Sequence, residues 1–207
     1  MIISIIDFLS QVVIATIDYI GYGGIFLLML VESSGIPMPS EVIMPFSGFL
    51  VAQGQLNFWA VVIIGTLGNL IGSCLAYLIG LKGGRTLIEK YGRYFLISAR
   101  DLALAEKWFL KYGDFMVFIG RLLPVIRTYI SFPAGLAKMN LKKFLIYTFL
   151  GAFIWSTLFA WLGVKMGNNW QLIREELHNF DLVMALLVAL AVILYIGRHL
   201  YHKKPAA

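Results

Sequence analysis

Residues 67–84 read LGNLIGSCLAYLIGLKGG, and residues 150–167 read LGAFIWSTLFAWLGVKMG. Eight of these 18 positions are identical without a gap: Leu67/Leu150, Gly68/Gly151, Ile71/Ile154, Ser73/Ser156, Leu75/Leu158, Gly80/Gly163, Lys82/Lys165 and Gly84/Gly167. Apolar helices draw on a narrow alphabet, so several matches arise by chance. The shared register of glycines and lysine is harder to obtain that way, and it marks an internal repeat.

The likeness extends upstream of both stretches. Tyr22-Gly23 opens an apolar run that reaches Glu32, then Pro37 and Pro39, then Glu41. Tyr112-Gly113 opens a run that reaches Arg121, then Pro124, then Arg127. Pro45-Phe46-Ser47-Gly48 follows in the first half and Phe132-Pro133-Ala134-Gly135 in the second. Each half is thus a proline-broken apolar segment followed by one long clean span, with repeat one over about 20–84 and repeat two over about 112–167. Proline removes a backbone donor and clashes with the preceding turn. Broken backbone at membrane depth survives only when buried in protein or lining a wet cavity. Residues 33–56 and 120–140 are therefore expected to form re-entrant hairpins, shaped by Pro37, Pro39, Gly48, Pro124, Pro133 and Gly135. One hairpin plus one span inverts the second repeat relative to the first, a plan used by many transporters.

Composition agrees. The 207 residues are 60% hydrophobic and only 14% charged, with a mean hydropathy of +0.83. Leu56–Leu81 and Phe144–Val164 carry no Asp, Glu, Lys or Arg and exceed the ~20 residues needed to cross a bilayer. A further apolar run, about 182–200, is expected to form a C-terminal transmembrane helix. The fold class is an all-α polytopic membrane protein, and residues 1–207 form one membrane domain. The run at 2–17, which holds Asp7 and Gln11, is left open between an interfacial helix and part of a longer tilted one. No Lys or Arg precedes it, which argues against a cleaved signal peptide.

All 17 Lys and Arg residues follow position 81. Seven of them lie in Lys82–Lys111, which predicts a cytoplasmic connector over about 85–111. Within it, Ser98–Gly113 reads as an amphipathic interfacial helix, with Leu102, Ala105, Phe109 and Tyr112 in a stripe. The net charge of +6 sits beside apolar spans, where membrane orientation accounts for it, so no nucleic-acid partner is expected. Cys74 is the only cysteine and forms no internal disulfide. His178, His199 and His202 have no companion ligands, so neither a metal nor another cofactor is expected.

Glu32, Glu41, Arg121 and Arg127 fall in or beside the broken segments. Each charge at the bilayer centre costs about 2.5–3.5 kcal/mol, so four unpaired ones would cost roughly 10–14 kcal/mol. They are therefore expected to share a polar interior. On unbroken helices Glu32 and Glu41 would face opposite ways, and Arg121 and Arg127 would diverge by about 120°. The prolines lift that restriction. Arginine's planar fork suits phosphate, which makes Arg121 and Arg127 candidate substrate-binding residues. Glutamate can change charge, which makes Glu32 and Glu41 candidates for proton coupling or gating. Static ion pairs pinning the hairpins are the competing explanation. Asn69, mid-span, is expected to bond between helices, and Trp155 and Trp161 to serve packing or interface anchoring. No nucleophile with a matched acid or base appears in the core, so a transporter is expected rather than an enzyme.

The runs VESSGIPMPSEVIMPFSGFLVAQG (31–54) and FIGRLLPVIRTYISFPAGLAKMNLKKFLIYTFLGAFIWS (118–156) resemble the DedA family of bacterial inner-membrane proteins. The resemblance covers roughly residues 20–167. It implies a fold shared with the VTT-domain lipid scramblases and transport of a polyprenyl phosphate carrier, undecaprenyl phosphate, for envelope synthesis. It also implies functional roles at Glu32, Glu41, Arg121 and Arg127. The expected partners are that lipid and the surrounding membrane lipids. Oligomeric state is left open, a homodimer included, as are the number of crossings before residue 57, the direction of transport and the driving ion. The alternatives are a proton-coupled antiporter of small cations and a non-catalytic membrane organiser.

Overall fold

The computed structural model describes residues 2–36, 40–91 and 114–167. The chain divides into two compact units, Met1–Asn168 and Asn169–Ala207, and the described residues all belong to the first. Pro37, Pro39, the connector helix expected over Ser98–Gly113, the three histidines and the C-terminal helix expected over 182–200 lie outside the described residues.

Eight helices make up the described chain: α1 (Ile2–Ile20), α2 (Tyr22–Ser33), α3 (Ser40–Ala52), α4 (Phe58–Tyr91), α5 (Phe115–Leu122), α6 (Pro124–Tyr129), α7 (Ser131–Leu136) and α8 (Leu141–Met166). The N-terminal run left open by sequence is one continuous helix. Its Val13 and Ile17, one turn apart, are buried, while Val12, Tyr19 and Ile20 are exposed. It meets α2 closely, with Gly24 against the Thr16 carbonyl.

Phe58–Gly83 within α4 and Leu141–Lys165 within α8 are long and apolar enough to cross a membrane. At 1.5 Å per residue each spans more than the ~30 Å hydrocarbon layer. Helices α2 and α3, with 12 and 13 residues, reach only about 20 Å each. The break between them begins at Ser34 and Gly35, whose φ of 102° suits glycine. It therefore falls inside a pair of short helices that begins at Tyr22, eleven residues before the expected hairpin start.

The long helices start alike. The Asn57 side chain accepts from the Ala60 N–H (3.1 Å), and the Asn140 side chain accepts from the N–H groups of Lys142 (3.0 Å) and Lys143 (3.3 Å). Both are helix N-caps. They lie 83 residues apart, the offset that relates 67–84 to 150–167.

Across the bundle, α3 packs chiefly along α8, and α7 along α4. A Cβ added at Gly48 would collide with the Ala160 carbonyl, and one at Gly163 with the Pro45 carbonyl. In the matching contact, Gly135 closes on the Tyr77 carbonyl and Gly80 on the Phe132 carbonyl. Tyr77/Ala160 and Gly80/Gly163 share the offset of 83; Pro45/Phe132 and Gly48/Gly135 share an offset of 87. The four-residue difference is taken up before the long helices: α3 runs further past its glycine than α7 does, and its connector is longer. The other identities divide by burial. Leu67, Ile71 and Leu75 are exposed, as are Leu150, Ile154 and Leu158, whereas Ser73 and Ser156 are buried.

A core of Tyr77, Val117, Ile130, Ala134, Met139 and Phe144 ties α4, α5, α7 and α8 together. The Tyr77 hydroxyl donates to the Met139 carbonyl, and its ring packs on Phe144 with centroids 4.6 Å apart.

Candidate functional site

Arg121 comes from the last turn of α5, Arg127 from α6 and Glu32 from the end of α2. Leu123 separates α5 from α6 in an extended conformation (φ −97°, ψ 123°). Pro124 imposes it, because a residue before proline is pushed out of the helical region. Proline then occupies the first helical position of α6, where no N–H is needed. Across this break the Arg121 side chain reaches the Arg127 backbone carbonyl.

Arg121 is 2% exposed. Its Nη1 donates to Asn69 Oδ1 (3.3 Å) and to the Arg127 carbonyl (3.1 Å), and its Nη2 donates to Ser131 Oγ (2.6 Å). The Ser73 hydroxyl donates to the same Asn69 oxygen (3.4 Å). The Arg121 stem lies on Gly151 of α8, where an added Cβ would sit 2.6 Å from Arg121 Cβ. One guanidinium thus ties α4, α6 and α7 together against α8.

Arg127, also buried, places Nη2 3.9 Å from Glu32 Oε1, an ion pair longer than a direct hydrogen bond. Its guanidinium carbon lies 4.8 Å from the centre of the Trp155 ring, at cation–π distance. That ring stacks on Phe159 (4.7 Å, 15°). Glu32 is 2% exposed and held at both oxygens: Thr128 donates to Oε1 (3.1 Å) and Ser33 to Oε2 (3.0 Å). Glu41 is the second residue of α3, and its side chain lies outside the described set.

Two guanidiniums and one carboxylate leave the described cluster with a formal charge of +1, which suits an anion. The structure brings Glu32, Arg121 and Arg127 together. Gly48 lies in α3, and Pro133 and Gly135 lie in α7, the helix whose Ser131 accepts from Arg121. Asn69 bonds between helices as expected, and its partner is Arg121. Thr128 and Ser131 escaped the sequence reading, as did the contacts of Gly151 with Arg121 and of Trp155 with Arg127. A weak signal existed: Asn69 and Ser73 are one turn apart in a charge-free span, and Ser131 follows Arg127 by one turn.

These features define a helical protein built on two long apolar helices with a buried, cationic cluster between broken segments. The VTT domain matches residues 38–165, and the chain belongs to that family. It is 35% identical to undecaprenyl phosphate transporter A of Bacillus subtilis (strain 168), over 84% of this chain and 86% of the relative. It is 30% identical to undecaprenyl phosphate transporter A of Staphylococcus aureus (strain NCTC 8325 / PS 47), over 95% of this chain and 98% of the relative. An alkaline phosphatase-like protein of Lactococcus lactis subsp. lactis (strain IL1403) is 32% identical, over 94% of this chain and 95% of the relative. No solved structure matches significantly. The family and the two apolar helices make the chain a membrane protein.

Proposed function

We propose that this chain moves a polyprenyl phosphate lipid carrier, undecaprenyl phosphate, across the bacterial cytoplasmic membrane, in support of envelope synthesis. The observation that carries the reading is the pair of buried guanidiniums, Arg121 and Arg127, in a chain whose relatives include proteins named for that lipid. The phosphate docks at the guanidiniums while the isoprenoid tail stays in lipid. Arg127 is the ligand that exchanges between the Glu32 carboxylate and the phosphate. Arg121, engaged at both terminal nitrogens, frames the site. Glu32 acts as an internal counter-ion that the phosphate displaces, and Glu41, at the start of α3, is its candidate companion in proton coupling or gating.

The architecture that goes with this function is multi-pass, with two inverted repeats, each a re-entrant hairpin followed by a span. The matched crossings of Gly48 with α8 and Gly135 with α4 support it. A positively charged connector on the cytoplasmic side would orient it.

Leaflet-resolved transport of undecaprenyl phosphate in reconstituted vesicles tests the function. Wild-type protein is expected to equilibrate the lipid between leaflets, and Arg127→Ala to slow this at least tenfold. Equal rates with and without protein would refute the reading. Release of inorganic phosphate in the same vesicles would instead favour the chemistry in the Lactococcus relative's name.

A further inference from the structure

We infer that Trp155 is a substrate contact: its indole N–H donates to the phosphate group held at Arg127. The inference rests on the phosphate reading of the arginines and adds a neutral donor to that site.

Trp155 Nε1 is buried and has no hydrogen-bond partner. An indole N–H can only donate, and a buried donor without an acceptor needs a physical explanation. Packing alone would explain the ring, which stacks on Phe159, but not the choice of a ring with an N–H. The ring's neighbour on the site side is the Arg127 guanidinium, 4.8 Å from its centre. A guanidinium is itself donor-only, so neither group satisfies the other. Arg121 Nε is a second buried donor with no acceptor. The missing complement is an acceptor of several hydrogen bonds, which a phosphate is and a hydroxyl headgroup is far less.

The position on α8 fits. Thr148, Gly151 and Trp155 fall within about 60° of one another around a helix. Gly151 carries the stem of Arg121, and Trp155 carries the head of Arg127. Thr148, fully buried on the same face, has a hydroxyl without a partner. One face of α8 therefore packs on both arginines and carries two side chains whose polar atoms have no partner. The equivalent position in the first repeat is Gly72, which closes on the Leu30 carbonyl instead. The donor thus belongs to one half only, the half that supplies both arginines.

The test compares binding of undecaprenyl phosphate and of undecaprenol to the purified full chain in nanodiscs, for wild type, Trp155→Phe and Arg127→Ala. Phenylalanine keeps an aromatic face for Arg127 and Phe159 and removes the N–H together with part of the ring, and the alcohol arm reads the loss of ring volume separately. Trp155→Phe is expected to weaken phosphate-lipid binding about tenfold, the worth of a charge-assisted hydrogen bond, and to leave alcohol binding unchanged. In wild-type protein labelled with 5-fluorotryptophan, the Trp155 fluorine resonance, assigned by its absence from Trp155→Phe or Trp155→Tyr, is expected to shift with the phosphate lipid and not with the alcohol. This second measurement decides the matter if the phenylalanine variant folds poorly. Wild-type phosphate binding in Trp155→Phe, an equal loss for both lipids, or an unmoved resonance overturns the inference. If Arg127→Ala alone loses phosphate binding, the phosphate reading survives without Trp155; if wild type binds both lipids equally, that reading falls first.

Discussion

Arg121 Nη1 donates to the backbone carbonyl of Arg127, 3.1 Å away, so one arginine of the cluster holds the short helix that carries the other. The two guanidiniums thus have unequal surroundings. One is locked among Asn69, Ser131 and a peptide carbonyl; the other faces a carboxylate and an aromatic ring. Their substitution should have different consequences.

Arg121→Ala takes its donor from the Arg127 carbonyl and from Ser131 Oγ, leaves Asn69 Oδ1 with Ser73 alone, and opens a void over Gly151. Each orphaned group costs about 1–3 kcal/mol, so a loss of roughly 3 kcal/mol or more is expected. Thermal unfolding in detergent should show a clearly lowered midpoint for Arg121→Ala and little change for Arg127→Lys. Equal midpoints for Arg121→Ala and wild type would mean that the guanidinium frames nothing.

Asn69→Asp puts a carboxylate beside Arg121 and takes the formal charge of the described cluster from +1 to 0. Stability is expected to hold or rise, because a neutral acceptor becomes a charged one. Affinity for undecaprenyl phosphate should fall more than tenfold, as the added charge repels the phosphate. Binding titrations beside unfolding curves would separate the two effects.

Glu32→Gln removes the charge that competes for Arg127 while leaving an oxygen for Thr128. Tighter binding of the phosphate lipid and slower net transport are expected, because release then lacks a replacement anion. Binding titrations beside leaflet-resolved transport check both outcomes, and unchanged binding in the variant would mean that Glu32 does not compete with the phosphate.

Gly48→Ala and Gly135→Ala should be alike. In each a new Cβ meets a backbone carbonyl of a long helix, and backbone cannot rotate away. A loss of about 1–3 kcal/mol is expected for each, typical of overpacking. Gly54→Ala is the control: its φ is 74°, but an added Cβ there meets nothing within 4 Å. Only the cost of a left-handed alanine, about 1–2 kcal/mol, should appear.

Asn57→Ala and Asn140→Ala each remove a helix cap at the same point of the internal repeat. Losses of about 1 kcal/mol each are expected. Their sum in the double variant should be additive, since the caps share no partner.

Much of this molecule was legible in the chain. The long helices follow from charge-free runs, and the break before Arg127 follows from Pro124. The glycine register at 68/151 and 80/163 marked positions that proved to be close contacts. The helix caps at Asn57 and Asn140 were equally present in the letters, in the same register, and passed unread. The break after Glu32 was legible too, since α2 ends at Ser33 and Gly35 follows with a positive φ.

Sequence by itself determined the helical class, the two long apolar helices and the charges of Glu32, Arg121 and Arg127 that had to find shelter. These depend on local physics: hydropathy, proline geometry and the cost of charge in an apolar medium. Only the tertiary structure decided which neutral groups receive those charges. Asn69, Ser131, Thr128 and Trp155 come from four different helices and share no spacing with the residues they touch. Their meeting depends on the crossing of α7 with α4 and of α5 with α8, where glycines admit close approach, and contact between distant helices leaves no period in a sequence.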